Sequence, residues 1–195
     1  MNNPLHDSVT SWIEAHFDEQ VAFLQQVVRI PTDTPPGNNA PHADAVADML
    51  EAAGWPVERH AVPAQEVRDH GLQSITNLIV RRPYGAGGPT LALNAHGDVV
   101  PPGEGWTKPP YGAVIEEGYL YGRAAAVSKS DFATYVFATR ALEALGVPLS
   151  GAVELHFTYD EEVGGLLGPG RLLAQGLTRP ELSVRIRSLS SRAGS

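Results

Sequence analysis

The sequence contains no cysteine among its 195 residues. Disulfide bonds and thiolate metal sites are therefore both excluded. Any metal ion bound by this chain must be held by histidine, aspartate or glutamate, which suits zinc, cobalt or manganese.

Positive charge and long apolar runs are also scarce. Lys and Arg number 14 against 22 Asp and Glu, which gives a formal net charge of -8. This balance argues against nucleic acid or an anionic membrane as the main partner. No run of 18 apolar residues occurs, and no basic region precedes an apolar core at the N-terminus. We therefore expect no signal peptide and no membrane span, and a cytoplasmic protein.

Apolar periodicity and turn residues predict helices alternating with strands. The first helix runs from Asp7 or Ser8 to about Arg29, and the others lie near residues 41–53 and 132–145. Strands are predicted over 57–62, 74–80, 91–95 and 152–157. This alternation is typical of an α/β layered fold, and the length suits one domain or slightly more.

One predicted strand ends in two polar residues spaced two apart. The apolar run Leu91–Leu93 leads into His96-Gly97-Asp98, and a Pro-Pro-Gly turn follows. Residues two apart in an extended segment point to the same side. One side chain can therefore bind a metal while the other orients it, because a ligating imidazole usually donates its second N–H to an oxygen. On its own, the motif fits a strand end with two solvated polar residues at least as well.

A second predicted strand ends in three adjacent acids, Asp160-Glu161-Glu162, with no cation beside them in sequence. A metal ion relieves the repulsion among such carboxylates, and a neighbouring carboxylate can then act as a base. A solvated acidic turn is the alternative, and for this cluster alone it is the simpler interpretation.

These two motifs, with two further segments, resemble those of a zinc hydrolase family that includes aminoacylase, acetylornithine deacetylase, succinyl-diaminopimelate desuccinylase and glutamate carboxypeptidase. The segment 96–103 resembles the first metal motif, 121–126 the second and 157–165 the third. The loop from Arg29 to Asn38 is similar to the one after the family's first helix. The resemblance extends from about Ser8 to Leu182.

The resemblance implies a three-layer α/β catalytic domain with a central mixed sheet, of which this chain holds the N-terminal portion. By the same resemblance, His96 and Glu162 are metal ligands, Asp98 supports His96, and Glu161 is the general base. The implied cofactor is Zn²⁺ or Co²⁺, two ions per full-length site, which polarise an amide carbonyl and lower the pKa of water. The implied substrate is an N-acyl amino acid or a small peptide, and full-length members are often homodimers.

The second motif departs from the family pattern. Val127 stands where the family has a metal-bridging aspartate, and Ala124 stands where a glycine is usual. Asp131, four residues further on, is a candidate replacement ligand. The alternative is that Ser128 and Asp131 form a capping-box-like start to the third long helix, where a carboxylate is favoured in any case.

The remaining expectations concern the length of the chain. The family's further acidic ligand, its distant histidine ligand and its dimerisation domain would all lie beyond Leu182. We therefore expect 1–182 to be the N-terminal part of a metallohydrolase catalytic domain, and 183–195 to be a disordered or frame-shifted tail. Two hypotheses remain: an active metal-dependent amidohydrolase, or a truncated, catalytically inactive fragment with at most weak metal binding. His42, His60, His70 and His156 are interpreted as core or surface residues without a catalytic role.

Overall fold

The computed structural model describes residues 4–185 as a set of helices around a five-stranded sheet. The helices are α1 (Pro4–Ala15), α2 (Phe17–Val28), α3 (Ala40–Ala52), α4 (Ala64–Asp69), α5 (Lys129–Ala144) and α6 (Pro169–Ala174). The strands are β1 (Glu58–Ala61), β2 (Thr76–Gly85), β3 (Thr90–His96), β4 (Val114–Glu116), β5 (Tyr119–Tyr121), β6 (Gly151–Thr158) and β7 (Leu182–Arg185). Within residues 4–185, no helix is long and apolar enough to cross a membrane.

The main sheet is mixed, with strand order β1-β2-β6-β3-β7. β1, β2 and β6 pair antiparallel, whereas β6, β3 and β7 pair parallel. β4 and β5 form a separate antiparallel hairpin. The predicted α/β fold with a central mixed sheet is confirmed.

Alternation along the strands gives the sheet two different faces. One face is apolar and packs with α3 and α5 in the main core; its fully or nearly fully buried members include Leu78, Val80, Ala95, Leu155 and Phe157. The other face carries polar side chains at the intervening positions, including Glu154, which pairs with both Arg81 and His156. The buried His156 thus makes a structural hydrogen bond to Glu154, as its place in a strand suggested.

Two segments differ from the sequence-based expectation. The first predicted helix is two helices, because His16 leaves the helical region (φ -113°) and its Nδ1 lies 2.8 Å from the carbonyl oxygen of Trp12. At the other end, β7 takes up Ser183 to Arg185, the first three residues of the segment expected to be a tail. This strand pairs with β3 in parallel, with Leu182 opposite Leu91. The rest of the expected tail, residues 186–195, lies outside the described residues.

The parallel pairing of β3 with β6 decides where the two acidic motifs meet. His96 at the end of β3 is opposite Thr158 at the end of β6. The carboxyl ends of both strands therefore lie side by side, and the loops that follow them start from adjacent positions. Such a sheet edge is where open α/β folds place their ligands.

Candidate metal centre

Three predicted site residues converge at this edge. His96, Glu161 and Glu162 each offer a ligand atom, and these atoms lie within 4.8 Å of one another. His96 and Glu161 are half-buried, whereas Glu162 is exposed. An imidazole and two carboxylates at such separations form a donor set that a divalent metal ion accepts.

The neighbours of His96 fix which of its ring nitrogens can bind a metal. Its Nδ1 lies 3.0 Å from the backbone carbonyl oxygen of Asp98. A carbonyl can only accept, so Nδ1 carries the proton and donates it. Nε2 then keeps its lone pair, which is the form a metal requires.

Asp98 connects the two strand ends. Its side chain is fully buried, and its Oδ2 accepts a hydrogen bond of 3.0 Å from the backbone N–H of Glu162. Its Oδ1 lies 3.4 Å from Nδ1 of His96 and has no hydrogen-bond partner among residues 4–185. Asp98 therefore braces His96 on one strand end and Glu162 on the other.

The pKa of His96 reflects this environment. Burial lowers the pKa of the ring, but the hydrogen bond and negative charge of Asp98, helped by the charge of Glu161, outweigh it and raise the pKa above its ordinary value. The same negative charges that favour a proton on the ring also favour a cation beside it.

The acidic segment is held by its first residue. Glu161–Val163 form one turn of 3₁₀ helix directly after the buried Asp160. Oδ2 of Asp160 accepts from the backbone N–H of Leu167 at 2.5 Å, so the chain folds back on itself. Burial raises the pKa of Asp160 to about 6. Asp160 thus shapes the turn, while the two glutamates that follow it reach the cluster.

Asp131 lies outside the cluster of three ligand atoms. It sits in the first turn of α5, where its Oδ2 accepts a hydrogen bond of 2.9 Å from the hydroxyl of Ser128. Burial raises the pKa of its carboxyl group. The hydrogen bond between Ser128 and Asp131, one of the two alternatives from the sequence, is therefore formed. A ligand role for Asp131 stays a prediction.

The two departures in the second motif have visible consequences. Val127 is 40% exposed and offers no donor atom. Ala124 adopts φ 64°, a left-handed conformation in which glycine is favoured over residues with a Cβ. The alanine therefore sits in a backbone conformation that is costly for it.

Lys129 is a buried group that the sequence reasoning missed. It is fully buried in the first turn of α5, and its Nζ donates to the carbonyl of Ile30 at 2.8 Å. Burial lowers its pKa to about 7, although the charges of Asp33 and Asp98 act in the opposite direction. The available signal was a lysine in the first turn of a helix, where the helix dipole disfavours a cation.

Comparison with known proteins relates this chain to a peptidase family. Residues 92–188, which include His96, Glu161 and Glu162, match the model of Peptidase family M20/M25/M40. The succinyl-diaminopimelate desuccinylase of Methylorubrum extorquens is 36% identical over 164 residues, which cover 83% of this chain and 40% of that protein. The chain spans about 40% of the length of the curated relatives it matches.

Solved structures show the same fold. Human carnosine dipeptidase 1 superposes with a TM-score of 0.72 at 23% identity, covering 89% of this chain and 38% of the dipeptidase. The aminopeptidase PepT of Bacillus cereus gives a TM-score of 0.65 at 25% identity, covering 88% of this chain and 43% of PepT. In each case this chain corresponds to well under half of the larger protein.

Proposed function

Because the chain belongs to Peptidase family M20/M25/M40, we propose that it carries the metal centre of a hydrolase that cleaves the amide bond of an N-acyl amino acid or small peptide. The observation that supports this most is the convergence of His96, Glu161 and Glu162 at one sheet edge. Members of this donor set come from two motifs 65 or more residues apart, so local sequence alone does not explain their proximity.

The residues present fit a divalent metal. The set offers one imidazole nitrogen and carboxylate oxygens but no sulfur, which suits Zn²⁺ or Co²⁺. The buried Oδ1 of Asp98 has its negative charge directed at His96, as expected of a carboxylate behind a ligating imidazole. The two ions per full-length site that the resemblance implies need further donors, and Asp131 is the acidic candidate in the second motif.

Each site residue then has a distinct task. His96 and Glu162 hold the metal, which when bound polarises an amide carbonyl and acidifies water. Glu161 accepts a proton from the attacking water on its carboxylate and passes it to the nitrogen of the leaving amine. Asp98 keeps Nδ1 of His96 protonated and holds the backbone N–H of Glu162 in place.

The proposed substrate class follows from the relatives. Several are named succinyl-diaminopimelate desuccinylase, and solved neighbours are named dipeptidase or aminopeptidase. An acylated amino acid or short peptide is common to these names. Homodimer formation by the full-length protein and a cytoplasmic location belong to the same proposal.

Release of a free amine tests the activity. The chain, loaded with Zn²⁺ or Co²⁺, is incubated with N-succinyl and N-acetyl amino acids and dipeptides, and amine formation is followed by mass spectrometry. We expect turnover that a chelator abolishes. Metal bound without any amine release favours the second candidate, a metal-binding fragment without activity. The non-ligating Val127 in the second motif supports that candidate.

The role of Glu161 is tested by Glu161→Gln. The amide cannot accept the proton, so we expect turnover to fall by about 10²–10⁴-fold, the usual contribution of a general base. Metal content should change much less than turnover. Glu14→Gln removes the same charge from the exposed side of α1 and should leave turnover unchanged. Equal turnover in Glu161→Gln and the wild type would remove Glu161 from this role.

A further inference from the structure

Tyr159 lies between the two halves of the metal centre. It directly precedes Asp160-Glu161-Glu162, and it is fully buried. Its ring rests against Gly97, so closely that a Cβ at position 97 would overlap Cε1 of the tyrosine. Gly97 is flanked by His96 and Asp98, and the Tyr159 ring therefore sets the spacing between the first and third motifs.

The hydroxyl of Tyr159 is anchored by a histidine 117 residues away in sequence. The Tyr159 hydroxyl lies 2.9 Å from Nδ1 of His42 in α3, and Nε2 of His42 lies 3.1 Å from the carbonyl oxygen of Val27. The carbonyl can only accept, so Nε2 carries the proton and Nδ1 accepts from the tyrosine. Burial lowers the pKa of His42 well below its ordinary value, which keeps the ring neutral.

The loop before α3 reinforces both strand ends. Nδ2 of Asn39 donates to the backbone carbonyl of Tyr159 at 3.4 Å, and the Thr32 hydroxyl donates to the carbonyl of Gly97 at 2.6 Å. The backbone N–H of Thr34 also donates to the carbonyl of Val99 at 2.8 Å. The segment between α2 and α3 therefore hydrogen-bonds to both Tyr159 and Gly97, whose close contact connects the third and first motifs.

We propose that His42 and Tyr159 are positioning residues for the metal centre: the hydrogen bond between them holds the Tyr159 ring against Gly97 and so keeps His96 within reach of Glu161 and Glu162. This inference rests on the metal centre of the proposed function. It assigns a task to a histidine that has no metal-binding motif in the sequence. A pair that merely filled the core would affect unfolding but not metal affinity.

The two variants Tyr159→Phe and His42→Asn test the proposal. Phenylalanine keeps the ring and removes the hydroxyl, which leaves Nδ1 of His42 without its donor. Asparagine keeps an acceptor near the place of Nδ1 but loses the bond to Val27. We expect Tyr159→Phe to weaken Co²⁺ binding about tenfold, the lower end of the loss seen when groups behind metal ligands are removed. His42→Asn should weaken Co²⁺ binding less than Tyr159→Phe does.

The matched control is Val80→Ala. Val80 is fully buried in the same core. It lies opposite Leu155 of β6, and Leu155 is four residues before Tyr159 in sequence. The substitution lowers stability without touching the contact between Tyr159 and Gly97. Its Co²⁺ affinity and visible absorption spectrum should match those of the wild type.

Co²⁺ titrations read by calorimetry and by the visible absorption of the ion, with urea unfolding in parallel, give the answer. A tenfold loss and an altered spectrum in Tyr159→Phe, absent in Val80→Ala, support the proposal. Wild-type affinity and spectrum in Tyr159→Phe overturn it while the metal centre stands. If Tyr159→Phe does not fold, wild-type Co²⁺ affinity in His42→Phe, which removes the acceptor instead, overturns it. Absence of Co²⁺ binding by the wild type overturns both the metal centre and this inference.

Discussion

At the scale of single residues, the site depends on which ring nitrogen of His96 carries the proton. Nδ1 of His96 keeps its proton because a carbonyl and a carboxylate of Asp98 both face it. That arrangement leaves the lone pair of Nε2 available for the proposed metal. Asp98 also accepts from the N–H of Glu162, so one buried carboxylate contacts two of the proposed ligand residues.

Asp98→Asn should weaken metal binding strongly without removing a ligand. The neutral amide loses the charge that favours a cation beside His96, and we expect zinc affinity to fall by about 10–100-fold. Calorimetric zinc titration measures the change. Asp69→Asn, on exposed α4, removes the same charge elsewhere and serves as the control. Unchanged affinity in Asp98→Asn would show that Asp98 does not support the ligands.

At the scale of elements, the proposed site residues follow the carboxyl ends of β3 and β6, and Asp131 and the buried Lys129 lie at the start of α5. β3 and β6 could be predicted because apolar runs end abruptly in polar residues. The burial of Lys129 at the start of α5 could not be predicted. Lys129 is buried there against the carbonyl of Ile30, a contact between residues 99 positions apart. Periodicity within one helix carries no information about such a partner.

Lys129 should make stability depend on pH. In the folded chain its pKa is about 7, and in the unfolded chain it is near 10.5. Between these values the unfolded state binds the extra proton, so stability rises with pH by up to about 1.4 kcal/mol per pH unit. Below the folded pKa both states are charged, and the cost of the buried charge is fully present.

Urea unfolding at several pH values across this window measures the effect. Lys129→Met keeps most of the length of the side chain and removes its charge, so the variant should lack this part of the rise. The difference between wild type and variant isolates Lys129 from the other titrating groups. Parallel pH profiles for the two proteins would refute the assignment.

Features that depend on local sequence could be predicted, whereas those that depend on contacts between distant residues could not. His96, Glu161 and Glu162 each follow a recognisable strand, and parallel pairing then brings them together. The first helix breaks at His16, where φ is -113°, and the apolar periodicity continues across this break without showing it. The sequence alone allows the carboxylate of Asp131 to face either a metal or Ser128. Only the three-dimensional arrangement reveals its hydrogen bond to Ser128.

At the scale of the whole molecule, the sheet formed by residues 4–185 has an open edge at β7. β7 is the last strand in the order, and no other strand pairs with its outer side among residues 4–185. Leu182 and Val184 on this strand are 54% and 46% exposed. An exposed edge with apolar side chains is a template for pairing with another chain.

We therefore expect this chain to self-associate in a concentration-dependent manner. Light scattering coupled to gel filtration measures the mass, and Leu182→Lys should shift it towards the monomer because a charge on an edge strand opposes pairing. Leu166→Lys makes the same exchange at an exposed position away from β7 and should not. A wild type that stays monomeric at all concentrations would contradict this expectation.

The proposed function depends above all on His96 and Glu162 holding a divalent metal, with Glu161 beside it as the base. Zinc content after equilibrium dialysis, measured by plasma emission for the wild type, His96→Ala and His60→Ala, tests it most directly. His60 pairs with Glu58 on β1, the outermost strand at the other end of the strand order from β7. Its variant is therefore the matched control. We expect at least about one zinc per chain in the wild type and His60→Ala, and well below one in His96→Ala. Equal zinc in His96→Ala and the wild type would contradict it.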